Sequence, residues 1–311
     1  MDSEKVEIFI TGSSASLLSR EIATSLRGRA WEVIFHPFSF EEFLRHKNIA
    51  IPEDNRCLPP GERSLLEQAF MEYLVCGGFP EARDLDTAYR FQLLKDYVDV
   101  AILRDVVERH SITNIVGFRW MVRHLLGDSA SSFTVEKFYH SLESQGIAIS
   151  KDTVHNLLAY LENCFMVRTV WMDTESERQR MVNPRKSYPV DTGLIPLYDR
   201  SARANLGHLL ETIVMVELER RRYDVTYVRT AEGYEVDFLV RIPGSRSQLI
   251  QVCADASNPS TAERENRALL KAAEKYGNIQ LRLLTLTQDG SRISVPEGII
   301  VQPAYEWLLD I

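Results

Sequence analysis

The strongest constraint on the fold is a pair of short apolar runs, Glu235-Val-Asp-Phe-Leu-Val240 and Leu249-Ile-Gln-Val-Cys253. A loop carrying Pro243, Gly244 and Ser245 joins them. Runs of this length, bounded by turn residues, read as two adjacent strands of a hairpin. Asp237 lies on the first strand and Gln251 on the second. Upstream, residues 205–222 read as a long helix that carries Glu211. A carboxylate on a helix, an Asp on one strand and a Gln-x-Cys on its neighbour can converge on one polar centre. Glu211, Asp237 and Gln251 are therefore the candidate catalytic and metal-ligating residues. Mg²⁺ prefers hard oxygen ligands, and two carboxylates with one amide carbonyl make a modest set. Cys253, at the end of the second strand, cannot supply a cation, and Lys271 on the following helix is the candidate lysine near it.

Around this hairpin the pattern continues as helix, three strands, helix and strand. Ser260, with Glu263 in capping-box spacing, starts a helix to about Tyr276, and residues 279–286 and 299–303 are strand-like. This order predicts a compact α/β unit with a mixed sheet over residues 187–311. Residues 188–196 read as the turn that starts it.

Residues 111–186 have a different rhythm. Helical stretches at 115–126, 134–144 and 151–163 precede a strand pattern at 165–172. Three short helices and a β ribbon suggest a winged helix-turn-helix. Its third helix, capped by Ser150, holds Asp152, His155 and Glu162 but no Arg or Lys after Lys151. DNA-reading helices bring cations and amides to phosphates and base edges. Packing is thus the simpler role for this helix, while Arg178, Arg180, Arg185 and Lys186 keep DNA open as a partner.

Residues 63–110 are helical, with Ser64 and Glu67 in capping-box spacing, a break at Cys76-Gly-Gly-Phe-Pro80 and a long helix from Tyr89 to Glu108. Residues 1–62 begin with a buried strand (Val6–Ile10), a polar turn (Thr11-Gly-Ser-Ser14) and a helix at 17–26. A short strand at 33–35 and a helix opened by Ser39 and Glu42 follow. No GxxxxGK[ST] or GxGxxG motif occurs anywhere in the chain.

Composition narrows the class further. The 311 residues are 45% hydrophobic and 26% charged, ordinary values for a globular protein of two or three domains. A net charge of −8 argues against general nucleic-acid binding by electrostatics. No apolar run is long enough to span a membrane, and no secretory signal opens the chain. Four scattered cysteines without CxxC pairs point to reduced thiols and a cytoplasmic location.

Taken in order, the chain resembles a bacterial and archaeal family of AAA-type ATPases. In that family an ATPase core precedes a helical segment, a winged helix and a C-terminal domain of unknown function similar to the PD-(D/E)xK endonuclease fold. The resemblance rests on Phe9-Ile-Thr-Gly-Ser-Ser14, Leu26-Arg-Gly-Arg29, Pro37-Phe-Ser-Phe-Glu-Glu-Phe43, Gly77-Gly-Phe-Pro80, Leu94-Lys-Asp-Tyr97, Arg104-Asp105, Tyr188-Pro-Val-Asp-Thr-Gly-Leu194, Glu235-Val-Asp-Phe238 and Ile250-Gln-Val252. It implies an α/β and α mixed chain: a partial ATPase core (1–62), a helical segment (63–110), a winged helix (111–186) and an endonuclease-like α/β domain (187–311).

The resemblance also implies sensor roles for Ser13 or Ser14 at a γ-phosphate, and for Arg29 at a phosphate or a neighbouring subunit. ATP and Mg²⁺ are the intact family's cofactors. The phosphate loop precedes the sensor strand in that family, and here Met1 stands just before that strand, so no cofactor is expected in this chain itself. The expected function is a non-hydrolysing, DNA-associated or regulatory and assembly protein. The alternatives are a Mg²⁺-dependent PD-(D/E)xK nuclease, or an active ATPase if the gene starts upstream. An incomplete N-terminal sheet leaves an open edge, which predicts self-association.

Overall fold

The computed structural model describes residues 9, 11, 12, 31, 33–52, 58–199, 205–293 and 295–310. The expected strand at 6–10 and helix at 17–26 lie outside the described residues, apart from Phe9. One mixed sheet of eight strands runs through the described chain in the order β1-β3-β2-β4-β5-β6-β7-β8. The strands are β1 Ser132–Phe133, β2 Val167–Met172, β3 Arg185–Pro189, β4 Asp224–Arg229, β5 Glu235–Arg241, β6 Gln248–Cys253, β7 Gln280–Thr285 and β8 Ile299–Pro303.

The 235–253 hairpin stands near the middle of the sheet. β5 is antiparallel to β4 and β6, whereas β6, β7 and β8 run parallel to one another. On the other side β2 pairs with β4 in parallel, and β3 pairs antiparallel with both β2 and β1. The sheet therefore passes without a break from the 115–189 region into the C-terminal region.

A slip in register shapes β5. Thr226 faces Leu239 and Val228 faces Val236, so Tyr227 alone stands opposite Asp237 and Phe238. Such a bulge turns two successive side chains to one side and re-aims whatever they carry. Phe238 and Val240 join one core, while Val236 joins the core on the opposite face.

Helix α8 (Leu206–Arg220) covers the first face. Every residue from 209 to 218 on it is buried, as expected of a helix enclosed all round. Over it pack α1 (Phe40–His46), α2 (Pro60–Cys76) and α11 (Ala304–Leu309). Phe40 and Phe70 meet edge-on at 5.3 Å, and Phe43 and Tyr73 at 5.0 Å. Each such pair contributes about 1 kcal/mol beyond the area it buries. Helix α9 (Pro259–Tyr276) covers the other face through Ala268, Leu269 and Ala272.

A third core fills the 80–198 region. Helix α3 (Thr87–Val100) runs directly into a π-helix (Ala101–Glu108), where a single α-helix was expected. Helices α4 (Ile115–Gly127), α5 (Val135–Ser144) and α6 (Lys151–Asn163) follow, close to their expected bounds, and Ser150 caps α6. A short helix α7 (Glu177–Val182) sits between β2 and β3. A last short helix, α10 (Gln288–Ser291), follows β7.

Several expectations are corrected. Residues 33–35 form no strand. Ser64 does not begin α2: the helix starts a turn earlier at Pro60, whose fixed φ suits a first helical position. Glu67 instead accepts the Gln288 amide at 2.9 Å. Asn258, not Ser260, caps α9, again ahead of a proline. Residues 185–189, read in part as a turn, are a strand at the heart of the ribbon.

Candidate functional site

β3 brings Lys186 and Tyr188 to the same side, two residues apart, because side chains alternate along a strand. Both are buried, Lys186 to 5% exposure and Tyr188 to 0%. They meet the residues that the hairpin and α8 present. The Lys186 Nζ stands 3.0 Å from Glu211 Oε1, 2.9 Å from Asp237 Oδ1 and 2.8 Å from Glu235 Oε1. An ammonium has three N–H donors, and here three carboxylates surround it. The Tyr188 hydroxyl donates to Glu211 Oε1 at 2.7 Å.

The second Asp237 oxygen accepts the Val252 amide at 3.0 Å, which fixes the carboxylate across the β5–β6 pair. Gln251 is one step removed. Its Oε1 accepts the Asp237 backbone amide at 3.2 Å, and its Nε2 donates to Glu265 Oε2 at 2.7 Å. Arg264 Nε donates to Glu265 Oε1 at 3.0 Å. The structure thus joins Glu211 and Asp237 through Lys186, while Gln251 links the back of Asp237 to α9.

Burial pushes the Glu211 carboxyl up to about 8, and the nearby Asp237 charge adds to this; Lys186 and the Tyr188 hydroxyl pull the other way. Burial alone would lower the Lys186 ammonium, yet Asp237, Tyr188, Glu211 and Glu235 hold it well above an ordinary lysine. The lysine is therefore a permanent cation at neutral pH. With the Glu211 carboxyl raised above neutral pH, Asp237 and Glu235 are the carboxylates that face the single ammonium.

Lys271, the lysine expected here, is on the solvent side of α9 and pairs with Glu274 at 2.8 Å. The cation comes from β3 instead. Cys253 points into the core beneath α9, where burial raises its thiol to about 11. Lys186, named from the sequence only as a basic residue near the ribbon, is no surface group available to DNA. Its position two residues before Tyr188, on a strand that ends at Pro189, was the signal that could have revealed it. Ser13, Ser14 and Arg29 lie outside the described residues.

A Mg²⁺ ion between Glu211 and Asp237 would have to displace the ammonium that they hold in this arrangement. Lys186 occupies the space between the two acidic side chains, and the Gln251 oxygen is taken by a backbone amide. Among the described residues no three His, Cys, Asp or Glu side chains converge on a metal position.

Two of the other basic candidates, Arg180 and Arg185, are engaged as well. The Arg185 guanidinium stacks 3.5 Å from the Trp171 ring centre, with Arg180 at 5.3 Å from the same ring. On α6, Lys151 binds Glu136 at 2.7 Å. Among the described residues no helix is long and apolar enough to cross a membrane.

Comparison with known proteins places these elements. Residues 1–44 match an AAA domain, residues 67–201 a domain of unknown function (DUF8612), and residues 206–307 another (DUF4143). The cluster straddles the last two, with Lys186 and Tyr188 in one and Glu211, Glu235 and Asp237 in the other. An uncharacterized protein of Methanocaldococcus jannaschii is 34% identical over 313 residues, covering 97% of this chain and 68% of that protein. An uncharacterized protein of Haemophilus influenzae is 28% identical over 303 residues, covering 97% and 71%. No solved structure matches. With a relative 34% identical across 97% of it, the chain belongs to an AAA-type ATPase family with a C-terminal domain of unknown function.

Proposed function

We propose that this chain is a regulatory and assembly protein of its family, acting through docking and not through chemistry at its C-terminal centre. One observation carries this reading. Lys186 donates to the two carboxylates that a PD-(D/E)xK nuclease would turn toward its metal. The centre thereby becomes an internal ion cage that ties β3 to α8 and β5. An ammonium enclosed in this way is costly to expose, because breaking a buried pair leaves uncompensated charge.

The order α4, β1, α5, α6, β2, β3 supports reading residues 115–189 as a winged helix used for packing. The acidic character of α6 and the engagement of Arg180 and Arg185 make DNA the weaker partner. Self-association is favoured by Trp31, Val33 and Phe35, which are 85%, 58% and 90% exposed. Apolar side chains exposed together mark an interaction surface. ATP belongs, on this reading, to the intact family, with Ser13, Ser14 and Arg29 as the sensor residues that the resemblance implies.

A Mg²⁺-dependent nuclease is the second reading. It is favoured by the same lysine, since β3 delivers the cation that position 253 lacks. Supercoiled and linear DNA incubated with the protein, with and without Mg²⁺ or Mn²⁺, separates the two. The docking reading expects no cleavage. Metal-dependent cleavage that disappears in Asp237→Ala would overturn it.

A further inference from the structure

Helix α4 buries one side in the third core and leaves the other in solvent. Phe118, Met121, Val122, Leu125 and Leu126 face inward. Val116, Arg119, Trp120 and Arg123 follow at steps of three, one and three residues and so share the outer face. Val116 is 61% and Trp120 41% exposed, and both arginines are exposed as well. The face thus has an apolar edge, Val116 and Trp120, beside a basic edge, Arg119 and Arg123. On each edge the two residues stand one turn apart.

Neither guanidinium is used within the chain. Among the described residues no carboxylate stands within ion-pair distance of Arg119 or Arg123. Asp99 acts on the Tyr198 hydroxyl together with both arginines, yet it pairs with neither. Elsewhere Arg45, Arg168, Arg241, Arg264 and Arg267 each hold a carboxylate. In a chain with 44 acidic residues against 36 basic ones, two neighbouring arginines left without an acid are matched to one from outside. Tryptophan and arginine are also the residue types on which protein–protein binding energy concentrates.

We propose that this face docks an acidic amphipathic helix of a partner protein, one that carries two carboxylates a turn apart beside an apolar residue. Carboxylates at that spacing meet Arg119 and Arg123 in register, because one turn separates the cations too. The apolar residue lies against Val116 and Trp120. Nucleic acid suits the face less well. Its binding is built from many phosphate contacts, and two arginines in a chain of net charge −8 offer few. The inference gives the docking reading a surface and a partner chemistry, and it rests on that reading.

The test titrates the full chain into a fluorescein-labelled, alanine-rich helical peptide with glutamates one turn apart beside a leucine, and into the same peptide with lysines in their place. Anisotropy measures the affinity, and amide chemical shifts locate the contact. The glutamate peptide is expected to bind about tenfold tighter or more, with shifts at the amides of 115–123. Arg123→Glu and Trp120→Ala are each expected to weaken it about tenfold or more. Arg178→Glu, the same charge change at an exposed arginine of α7, is expected to leave it unaltered. Unligated spectra verify that the variants are folded. Equal affinity for the two peptides, no binding at millimolar peptide, an equal loss in Arg178→Glu, or an oligothymidylate bound more tightly through the same residues would each overturn the proposal. The docking reading is decided separately, by the DNA-cleavage assay, in which α4 has no part.

Discussion

The Asp191 carboxylate accepts the Gly78 backbone amide at 2.6 Å, across 113 residues of chain. Its other oxygen accepts the Gly193 amide at 2.9 Å. Two motifs that are separate in the sequence, Gly77-Gly-Phe-Pro80 and Tyr188-Pro-Val-Asp-Thr-Gly-Leu194, are thus the two halves of one joint. The joint also receives the N-terminal part, since the Phe38 amide donates to Gly78 O at 2.8 Å and the Tyr73 hydroxyl to Phe38 O at 2.7 Å. Gly77 holds φ at 76°, and a Cβ there would stand 1.8 Å from Asp191 Oδ1.

Gly77→Ala is therefore expected to destabilise the protein by about 2 kcal/mol or more, from the left-handed backbone and the forced displacement of Asp191 together. Gly61 is the control. It lies in the first turn of α2, and a Cβ added there would meet nothing within 4 Å, so Gly61→Ala is expected to be neutral or slightly stabilising. Urea unfolding of both variants measures the contrast, and equal losses would refute the joint.

The same residue predicts a pH effect. Burial raises the Asp191 carboxyl to about 6, against the lowering pull of its two amide bonds. A folded-state value above the unfolded one means that the folded protein binds the proton more tightly. Stability from this group is fully present below about pH 4 and is lost as pH rises to about 6, a change of about 3 kcal/mol at most. Asp191→Asn removes the titration. The stability difference, wild type minus variant, is expected to grow as pH falls from 6.5 to 4; a difference that is flat or shrinks over this range would contradict it.

These residues also show how far the sequence could be read. Helices α4, α5, α6 and α8 were legible because their caps and apolar spacing are local signals, as Ser150 on α6 and Asn205 on α8 illustrate. The hairpin was legible for the same reason. What escaped depended on distant partners. β3 is five residues long and ends in proline, so only its pairing with β1 and β2 makes it a strand. With β3 unseen, Lys186 could not be placed beside Glu211 and Asp237, and Lys271 was the nearest substitute. The capping boxes at Ser64 and Ser260 failed because a proline, four residues before Ser64 and directly before Ser260, had already started each helix.

The ion cage makes a prediction of non-additivity. Lys186→Met leaves buried carboxylates without their cation and is expected to cost about 3–5 kcal/mol. Adding Asp237→Asn removes a stranded charge while keeping an acceptor for the Val252 amide. The double variant is expected to be more stable than Lys186→Met alone, with a coupling of about 1–3 kcal/mol. A double-mutant cycle by denaturant unfolding reads this directly, and strictly additive losses would show that the lysine and the carboxylates do not act as one unit.

Asn266 supplies the last prediction, one of stability. Its Oδ1 is buried and unpartnered among the described residues, between Ala262 and Leu270 on an otherwise apolar stripe. Most large effects of substitution come from leaving a polar group unmet; here the wild-type residue already carries that cost. Replacing it with leucine, close to it in size, removes an unsatisfied acceptor and adds apolar surface among apolar neighbours. Asn266→Leu is thus expected to raise stability by about 1 kcal/mol, where most buried substitutions lower it. Thermal and urea unfolding of the variant beside wild type provide the check. A loss of similar size would mean that the amide already has a partner in solution, such as an ordered buried water.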